Sequence, residues 1–106
     1  VEEIKGDNRV TSLILKDVKT GQVREQAAGG VFIYVGLDPV SDFATELGIL
    51  DENGWVVTDD HMRTSVPGVF AVGDVRQKDL RQVTTAVGDG AVAGQEAYKY
   101  ITEHEE

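Results

Sequence analysis

The sequence has 106 residues, a formal net charge of −9, an apolar fraction of 41% and no cysteine. A chain of this length forms one small domain, or part of a larger one, around a modest core. Its negative charge argues against nucleic acid or an anionic membrane as a partner. The absence of cysteine excludes a disulfide, a thiolate metal site and a redox dithiol within these residues.

The sequence carries no recognisable targeting or membrane segment. No apolar run approaches the roughly 18 residues that span a membrane, and no signal-peptide pattern is present. The chain also begins with Val1 rather than Met. We therefore expect a piece of a longer cytoplasmic protein whose native N-terminus lies outside this sequence.

The first 30 residues predict a β-hairpin. Apolar alternation favours one strand over residues 10–17, a turn follows at Thr20 and Gly21, and residues 22–27 favour a more polar return strand. Ile4 and its charged neighbours are interpreted as the tail of an earlier strand whose partners are absent. Since a two-stranded hairpin is only marginally stable alone, this region also indicates a larger parent protein.

The apolar run Val31–Val35 predicts the strongest strand of the sequence. Pro39 disfavours helix at the residue before it, so the chain is expected to turn after this strand. Gly36 then lies at a hinge between two domains, or simply in the turn; the sequence alone supports both interpretations.

A short helix and a short strand are predicted next. Ser41 or Asp42 can cap the helix, and Gly48 can end it. The inward side chains of this helix are expected to be Phe43, Ala44 and Leu47. Residues 51–54 favour a turn, and residues 55–58 favour a strand.

The run from Thr64 to Asp74 predicts a turn, a buried strand and an acidic residue at the end of that strand. Gly68 can adopt the positive φ of a type II turn after Pro67. The apolar residues 69–72 suit a strand covered on both faces, and Gly73 allows backbone or ligand to approach closely. Asp74 then occupies the position at which open α/β sheets bind ligands, and a carboxylate there can accept hydrogen bonds from hydroxyl groups.

The last segment predicts one long helix from about Leu80 to about Ile101, before a frayed tail at residues 103–106. Its inward face is expected to contain Val83, Val87, Ala91, Gly94, Tyr98 and Ile101. Gly88, Gly90 and Gly94 each cost about 1 kcal/mol relative to alanine, so we expect close packing of this helix against a sheet or cofactor. The G-x-G-x-x-A pattern from Gly88 lacks the preceding and following strands of a phosphate-binding loop, and we interpret it as packing.

Other polar and aromatic residues receive structural interpretations. His61 and His104 lack a surrounding set of metal ligands and are expected at the surface, so no metal site is predicted. The Asp59–Asp60 pair is interpreted as solvated. Three aromatic residues are expected in the core rather than against a cofactor: Tyr34, Trp55 and Phe70.

The Thr64–Asp74 run resembles the second FAD-binding motif of the flavoproteins with two dinucleotide-binding domains, T-x-x-P-G-apolar-F/Y-A-x-G-D. That resemblance implies that Gly73 and Asp74 lie at the ribityl chain of FAD. The run from Arg81 to Gly90 is similar to bacterial low-molecular-weight thioredoxin reductases in particular. There, backbone groups matching Gln82 and Val83 contact the isoalloxazine edge, where a helix N-terminus stabilises the negative charge of reduced flavin. Arg81 then pairs with phosphate, flavin or thioredoxin, or is a solvated cation.

The resemblance implies a mixed α/β fold, with residues 1–36 ending an NADPH-binding domain and residues 37–106 forming the C-terminal segment of an FAD-binding domain. The whole protein would be a homodimer that passes electrons from NADPH through FAD and a C-x-x-C dithiol to thioredoxin. This chain has no C-x-x-C pair and no nicotinamide fingerprint, so we expect it to be inactive alone. Two other interpretations stay open: a related flavoprotein, such as an alkyl hydroperoxide reductase flavin subunit or a ferredoxin–NADP reductase, and a noncatalytic protein-binding domain.

Overall fold

The computed structural model describes residues 1–104, which form two compact units. The first unit comprises residues 1–36, and the second begins at Leu37. The first contains a small antiparallel sheet, and the second contains loops, two short 3₁₀ helices and a long C-terminal helix. The predicted mixed α/β class is therefore confirmed.

The first unit is a three-stranded antiparallel sheet in the order β1 (Glu3–Gly6), β2 (Val10–Lys16) and β3 (Val23–Ala27). The predicted hairpin is confirmed as β2 and β3. The interpretation of Ile4 was wrong in one respect, because its strand pairs with β2, with Ile4 opposite Leu13. The partner of the earlier strand therefore lies within the chain.

The hairpin turn between β2 and β3 is organised by Asp17. One oxygen of its carboxylate accepts the amide protons of Lys19 and Thr20, each at 2.8 Å. The Gly21 amide donates to the Asp17 carbonyl at 2.8 Å, and Gly21 adopts a φ of +74°. The hydrogen bonds from the Thr20 and Lys19 amides lower the pKa of Asp17, and the one from Thr20 contributes most.

The predicted strand at residues 31–35 is wrong for this structure. No strand is assigned there, and Phe32 and Tyr34 are 88% and 89% exposed. The expectation that Tyr34 is a core residue is therefore also wrong. A strand requires a partner for its backbone groups, and within residues 1–104 no neighbouring strand pairs with this segment.

The second unit has a small core of Ala44, Ile49 and Val56. Residues Asp42–Leu47 form a 3₁₀ helix that ends at Gly48, whose φ of 65° confirms the predicted end. The prediction of its inward face is only partly correct, because Ala44 is buried but Phe43 is 79% exposed.

The prediction of a cap at Ser41 or Asp42 is partly correct, because Ser41 occupies the N-cap position of this 3₁₀ helix. The Ser41 side chain makes no capping hydrogen bond. Its hydroxyl instead donates to the Gly54 carbonyl at 2.6 Å. Ser41 therefore fastens the helix entrance to the turn at residues 51–54, which is confirmed as a turn.

Two further strand predictions reduce to single bridges. Within residues 55–58 only Val56 pairs, with Leu50 on one side and Arg76 on the other. Within residues 69–72 only Phe70 pairs, with Arg63. Because each segment finds one bridging residue rather than a continuous neighbour, neither forms a ladder.

The turn before Phe70 is confirmed. Gly68 has a φ of +78°, and a Cβ there would lie 3.1 Å from the Tyr100 ring. The Thr64 hydroxyl closes the turn by donating to the Val69 carbonyl at 2.8 Å. The Phe70 and Tyr100 rings meet edge to face, with centroids 6.3 Å apart. The turn is therefore packed against the end of the long helix.

The long helix, α1, spans Val83–His104. It begins a few residues later than predicted and includes Glu103 and His104, which were expected to be frayed; residues 105–106 of that tail lie outside the described residues. No helix among the described residues has the length and apolarity needed to cross a membrane.

The predicted inward face of α1 is wrong. Val83 is 80% exposed, Val87 is 68% exposed and Tyr98 is 66% exposed. The opposite face packs instead, and its buried residues are Ala93 and Glu96. The helix glycines were expected to pack closely, but a Cβ at Gly88, Gly90 or Gly94 would meet nothing within 4 Å.

Candidate functional site

The candidate site is built on a tight turn at the end of the Thr64–Asp74 motif. Gly73–Val75 form one turn of 3₁₀ helix, and Gly73 is buried with a φ of +75°. A Cβ at Gly73 would lie 3.4 Å from the Ala86 Cβ. Glycine is thus favoured by the left-handed backbone, while a Cβ would only touch Ala86.

Asp74 is the exposed residue of this turn. Its carbonyl oxygen accepts a hydrogen bond from Arg81 Nε at 2.9 Å. Among residues 1–104 its carboxylate has no hydrogen-bond or ion-pair partner. The backbone of Asp74 is therefore fixed while both carboxylate oxygens stay available to a ligand.

Arg81 is held by the protein rather than solvated. Its Nη2 donates to the Arg76 carbonyl at 2.9 Å, in addition to the bond from Nε to Asp74. The guanidinium carbon lies 3.6 Å from the centroid of the Trp55 ring, a cation–π distance. These contacts show that Arg81 fastens the Asp74 turn, which sequence reasoning did not anticipate.

Asp74 and Arg81 share a cleft of about 260 Å³ with Trp55. The remaining lining comes from the segment at residues 37–40 and from Val75. Trp55 was expected in the core; it is only partly buried and forms a wall of this cleft. The structure thus brings together two of the predicted site residues and adds an aromatic surface to them.

The N-terminus of α1 follows Arg81 directly. The Gln82 amide donates to the Thr85 hydroxyl at 3.1 Å, which is one half of a capping box. The Gln82 carbonyl accepts the first helical bond, from the Ala86 amide at 3.0 Å. Val83 and Thr84 then contribute first-turn amides, which have no acceptor within their own helix.

Asp89 holds the opposite side of the Asp74 turn. Its Oδ2 accepts the Gly73 amide proton at 2.9 Å and lies 2.8 Å from both Lys78 Nζ and Arg76 Nη1. The Asp89 side chain is 11% exposed. Burial raises the pKa of Asp89, but the hydrogen bonds from Lys78, Arg76 and Gly73 outweigh it and lower that pKa to about 2.

Glu96 anchors α1 about two helical turns beyond Asp89. Its carboxylate is 4% exposed and pairs with Arg63 and, at 2.8 Å, with Lys99 Nζ. These two hydrogen bonds, from Lys99 and then Arg63, lower the pKa of Glu96 to about 2. His61 Nδ1 lies 3.6 Å from the same carboxylate and remains largely exposed. No group of three or more potential metal ligands occurs within residues 1–104.

Comparison with known proteins shows which family the chain resembles. Residues 1–90 match the family described as pyridine nucleotide-disulphide oxidoreductase. The chain belongs to this family. Among curated members it is 53% identical to the thioredoxin reductase of Listeria innocua, with all of this chain and 34% of the relative covered. It is 48% identical to the thioredoxin reductase of Treponema pallidum, over 95% of this chain and 33% of the relative.

Solved structures of the oxidoreductase family agree. The Lactococcus lactis thioredoxin reductase superposes with a TM-score of 0.78 at 67% identity, covering 94% of this chain and 33% of that one. The Streptococcus pyogenes enzyme gives a TM-score of 0.76 at 60% identity, covering 95% and 33%. The chain therefore spans about a third of the length of the relatives it matches, and its resemblance to bacterial thioredoxin reductases is confirmed.

Sequence reasoning missed Asp89. Asp89 lies within the Gly88–Ala93 run, which was interpreted as small residues that allow packing. The charge of Asp89 received no separate explanation. A signal was present, because Ala86, Asp89, Ala93 and Glu96 step by three and four along one helix face. Two carboxylates on that face would each need a cation or an amide if the face were buried, and the structure provides both.

Proposed function

We propose that this chain is the FAD-binding portion of a thioredoxin reductase, the C-terminal segment of a longer homodimeric protein in the cytoplasm. The complete protein would pass electrons from NADPH through FAD and a C-x-x-C dithiol to thioredoxin disulfide. The observation that carries the proposal is the free Asp74 carboxylate on a turn fixed from both sides. Its support from the comparisons is that the relatives described above are named thioredoxin reductase.

The residues of the turn fit the ribityl chain of FAD. A carboxylate accepts hydrogen bonds only, and the ribityl chain offers hydroxyl donors. Asp74 is exposed, lacks a partner among residues 1–104 and lies on a fixed backbone, so it can orient those hydroxyls without first breaking another contact. The Gly73 amide already donates to Asp89 and is therefore not available to the ligand. The contribution of Gly73 is the left-handed turn.

The N-terminus of α1 fits the isoalloxazine edge. The first-turn amides at Val83 and Thr84 place partial positive charge at the helix N-terminus. FAD, when bound, supplies the two-electron carrier of the reaction. Gln82 and Val83 then contribute backbone groups rather than side chains, while Arg81 holds the turn through Asp74 and Arg76.

The residues of this chain do not suffice for the reaction. The chain contains no cysteine, so the dithiol must come from elsewhere in the complete protein. We assign residues 1–36 to the end of the NADPH-binding domain and residues 37–106 to the FAD-binding domain. The isolated chain is then inactive as a reductase.

A second candidate within the same class is a related flavoprotein, such as an alkyl hydroperoxide reductase flavin subunit or a ferredoxin–NADP reductase. These proteins share the motif around Asp74. The run Arg81–Thr85 favours thioredoxin reductase, as do the names of the relatives. The residues that select the electron acceptor lie outside this chain.

The acceptor assay separates these candidates. A full-length protein carrying this segment is supplied with NADPH and, separately, with thioredoxin, a peroxiredoxin-type acceptor and ferredoxin. We expect NADPH oxidation to be fastest with thioredoxin. Faster oxidation with either other acceptor identifies the related flavoprotein. A purified full-length protein that is folded but colourless contradicts flavin binding altogether and supports a noncatalytic binding domain.

A further inference from the structure

The contacts of Asp89 converge on the loop that carries Asp74. All three of its donors come from that loop: the Gly73 amide, the Arg76 guanidinium and the Lys78 ammonium. Asp89 itself belongs to α1, so these contacts join the long helix to the turn. No other carboxylate of residues 1–104 pairs with Arg76 or Lys78.

The bond to the Gly73 amide fixes the backbone immediately before Asp74. Gly73 is buried and left-handed, so its amide has no access to bulk water as a substitute acceptor. Leaving such a group unpaired costs roughly 1–3 kcal/mol. Without the Asp89 carboxylate, the turn is expected to change conformation until the amide finds water, and Asp74 moves with it.

The ion pairs with Arg76 and Lys78 have a second consequence. Both cations lie within four residues of Asp74 in the chain, and an exposed carboxylate attracts a nearby cation that lacks a partner. Asp89 occupies both cations at 2.8 Å. It thereby leaves the Asp74 carboxylate free to accept hydrogen bonds from a ligand.

We propose that Asp89 is a positioning residue for FAD binding, acting through Gly73, Arg76 and Lys78 to hold the Asp74 carboxylate in place and unpaired. The inference rests on the proposed function of Asp74. Asp89 does not touch the flavin in this account. Its removal is therefore expected to weaken FAD binding without removing any direct contact.

The test compares two ion-paired carboxylates of the same helix. Asp89→Ala, Asp89→Asn and Glu96→Gln are introduced into a full-length thioredoxin reductase carrying this segment, and the apoproteins are titrated with FAD. Glu96 is the matched control because its side chain is also little exposed and also pairs with two cations, but it contacts neither Gly73 nor Asp74. Asp74→Ala is measured beside them as the test of the proposed function.

Loss of the amide contact in Asp89→Ala is expected to raise the Kd for FAD about tenfold or more. Asp89→Asn keeps an oxygen acceptor for the Gly73 amide, so its Kd is expected to lie between the wild-type and alanine values. Glu96→Gln is expected to lower the melting temperature while leaving the Kd within about twofold, because destabilising a remote anchor does not move the turn.

Three results overturn the inference: an Asp89→Ala protein with wild-type FAD affinity, a Glu96→Gln protein weakened as much as Asp89→Ala, or an asparagine variant no better than alanine. If Asp74→Ala weakens binding in those cases, the proposed function stands and only the role of Asp89 fails. If Asp74→Ala also binds FAD normally, the proposed function fails as well.

Discussion

Arg81, which the motif assigns to the cofactor site, also has a structural role within the chain. The motif predicts a residue that pairs with a ligand or with solvent, whereas the structure shows a guanidinium bonded to two backbone carbonyls and stacked on Trp55. Arginine is suited to this arrangement because its planar group offers several donors in fixed directions. Its contribution is therefore to the order of the Asp74 turn.

Replacing Arg81 should destabilise the second unit. Arg81→Ala loses the two carbonyl contacts and the cation–π contact, and the free energy of unfolding is expected to fall by about 1–3 kcal/mol. Arg81→Lys should recover little of it, since lysine cannot make both bonds while stacking. Urea unfolding followed by the fluorescence of Trp55, the only tryptophan of the sequence, measures the change.

The exposed Arg9 provides the control for that experiment. Arg9→Ala changes the net charge equally but removes no described side-chain contact, so its unfolding curve should match the wild type. Equal losses in Arg9→Ala and Arg81→Ala would attribute the effect to charge. A full recovery by Arg81→Lys would contradict the proposed geometry of the guanidinium.

The two ion-paired carboxylates of α1 predict how stability depends on pH. Asp89 and Glu96 have ordinary pKa values of 3.8 and 4.5, and each pKa is lowered to about 2 in the fold. A carboxyl whose pKa is lower in the folded state stabilises the fold above its unfolded pKa. That contribution is lost as the pH falls through the folded pKa. The contribution of these two groups to the free energy of unfolding is expected to be constant above about pH 5. It should fall as the pH decreases towards 2.

Urea unfolding across that pH range measures the loss, and Glu96→Gln should flatten it. The variant is less stable at neutral pH but has one fewer group to protonate, so its curve should approach that of the wild type as the pH falls. Glu52→Gln, at an exposed turn position, should leave the wild-type slope unchanged. A Glu96→Gln protein with the full wild-type acid dependence would show that this ion pair does not couple protonation to folding.

At the scale of elements, α1 predicts opposite effects of one substitution in two contexts. Gly94 has open space around it in this structure, so Gly94→Ala should stabilise the helix of the isolated chain by about 1 kcal/mol. The glycines were expected to allow close packing, and in the full-length protein the same change should reduce stability. Circular dichroism during thermal unfolding of both proteins measures the two signs.

Gln95→Ala is the matched control on the same helix. Its side chain is exposed, and the change should have little effect in either protein. A stabilising effect of Gly94→Ala in both contexts would mean that this face of α1 stays open in the full-length protein. The close-packing explanation of the glycines would then be wrong.

Local signals predicted the elements that need only local partners. The turn at Thr20 and Gly21, the hairpin, the Gly48 end and the Gly68 turn all depend on residues within a few positions, and all are confirmed. The strands at 31–35, 55–58 and 69–72 depend on neighbours that sequence patterns do not supply. Their apolar character alone does not supply the paired neighbour that a strand needs.

The candidate site was predictable to the same extent. The motif identified Asp74 and the α1 N-terminus because their chemistry is carried by residue type and by position next to a helix. The contacts of Asp89 and Trp55 were not predictable, since they join residues 16 and 26 positions apart that no local rule connects. The face of α1 was misjudged because its exposed side is more apolar than its packed side, which carries Asp89 and Glu96.

At the scale of the whole molecule, residues 31–35 test whether this chain is the end of a larger domain. In the isolated chain their amides have no ladder partners and should exchange with solvent rapidly. In the full-length protein we expect residues 31–35 to pair with further strands. The protection of their amides from exchange should then rise by orders of magnitude. Hydrogen–deuterium exchange followed by peptide mass spectrometry compares the two proteins.

The amides of β2 serve as the internal reference, because residues 12–14 pair on both sides in the structure. They should be protected in both proteins. Rapid exchange at residues 31–35 in the full-length protein would contradict the assignment of residues 1–36 to the end of a larger domain.

The most direct test of the account is the FAD content of Asp74→Ala in a full-length protein carrying this segment. Asp79→Ala, an exposed aspartate of the same loop, is the control. Visible flavin absorbance per subunit after purification should be near stoichiometric for the wild type and Asp79→Ala and strongly reduced for Asp74→Ala. An Asp74→Ala protein that retains the wild-type FAD content would contradict the role assigned to this carboxylate.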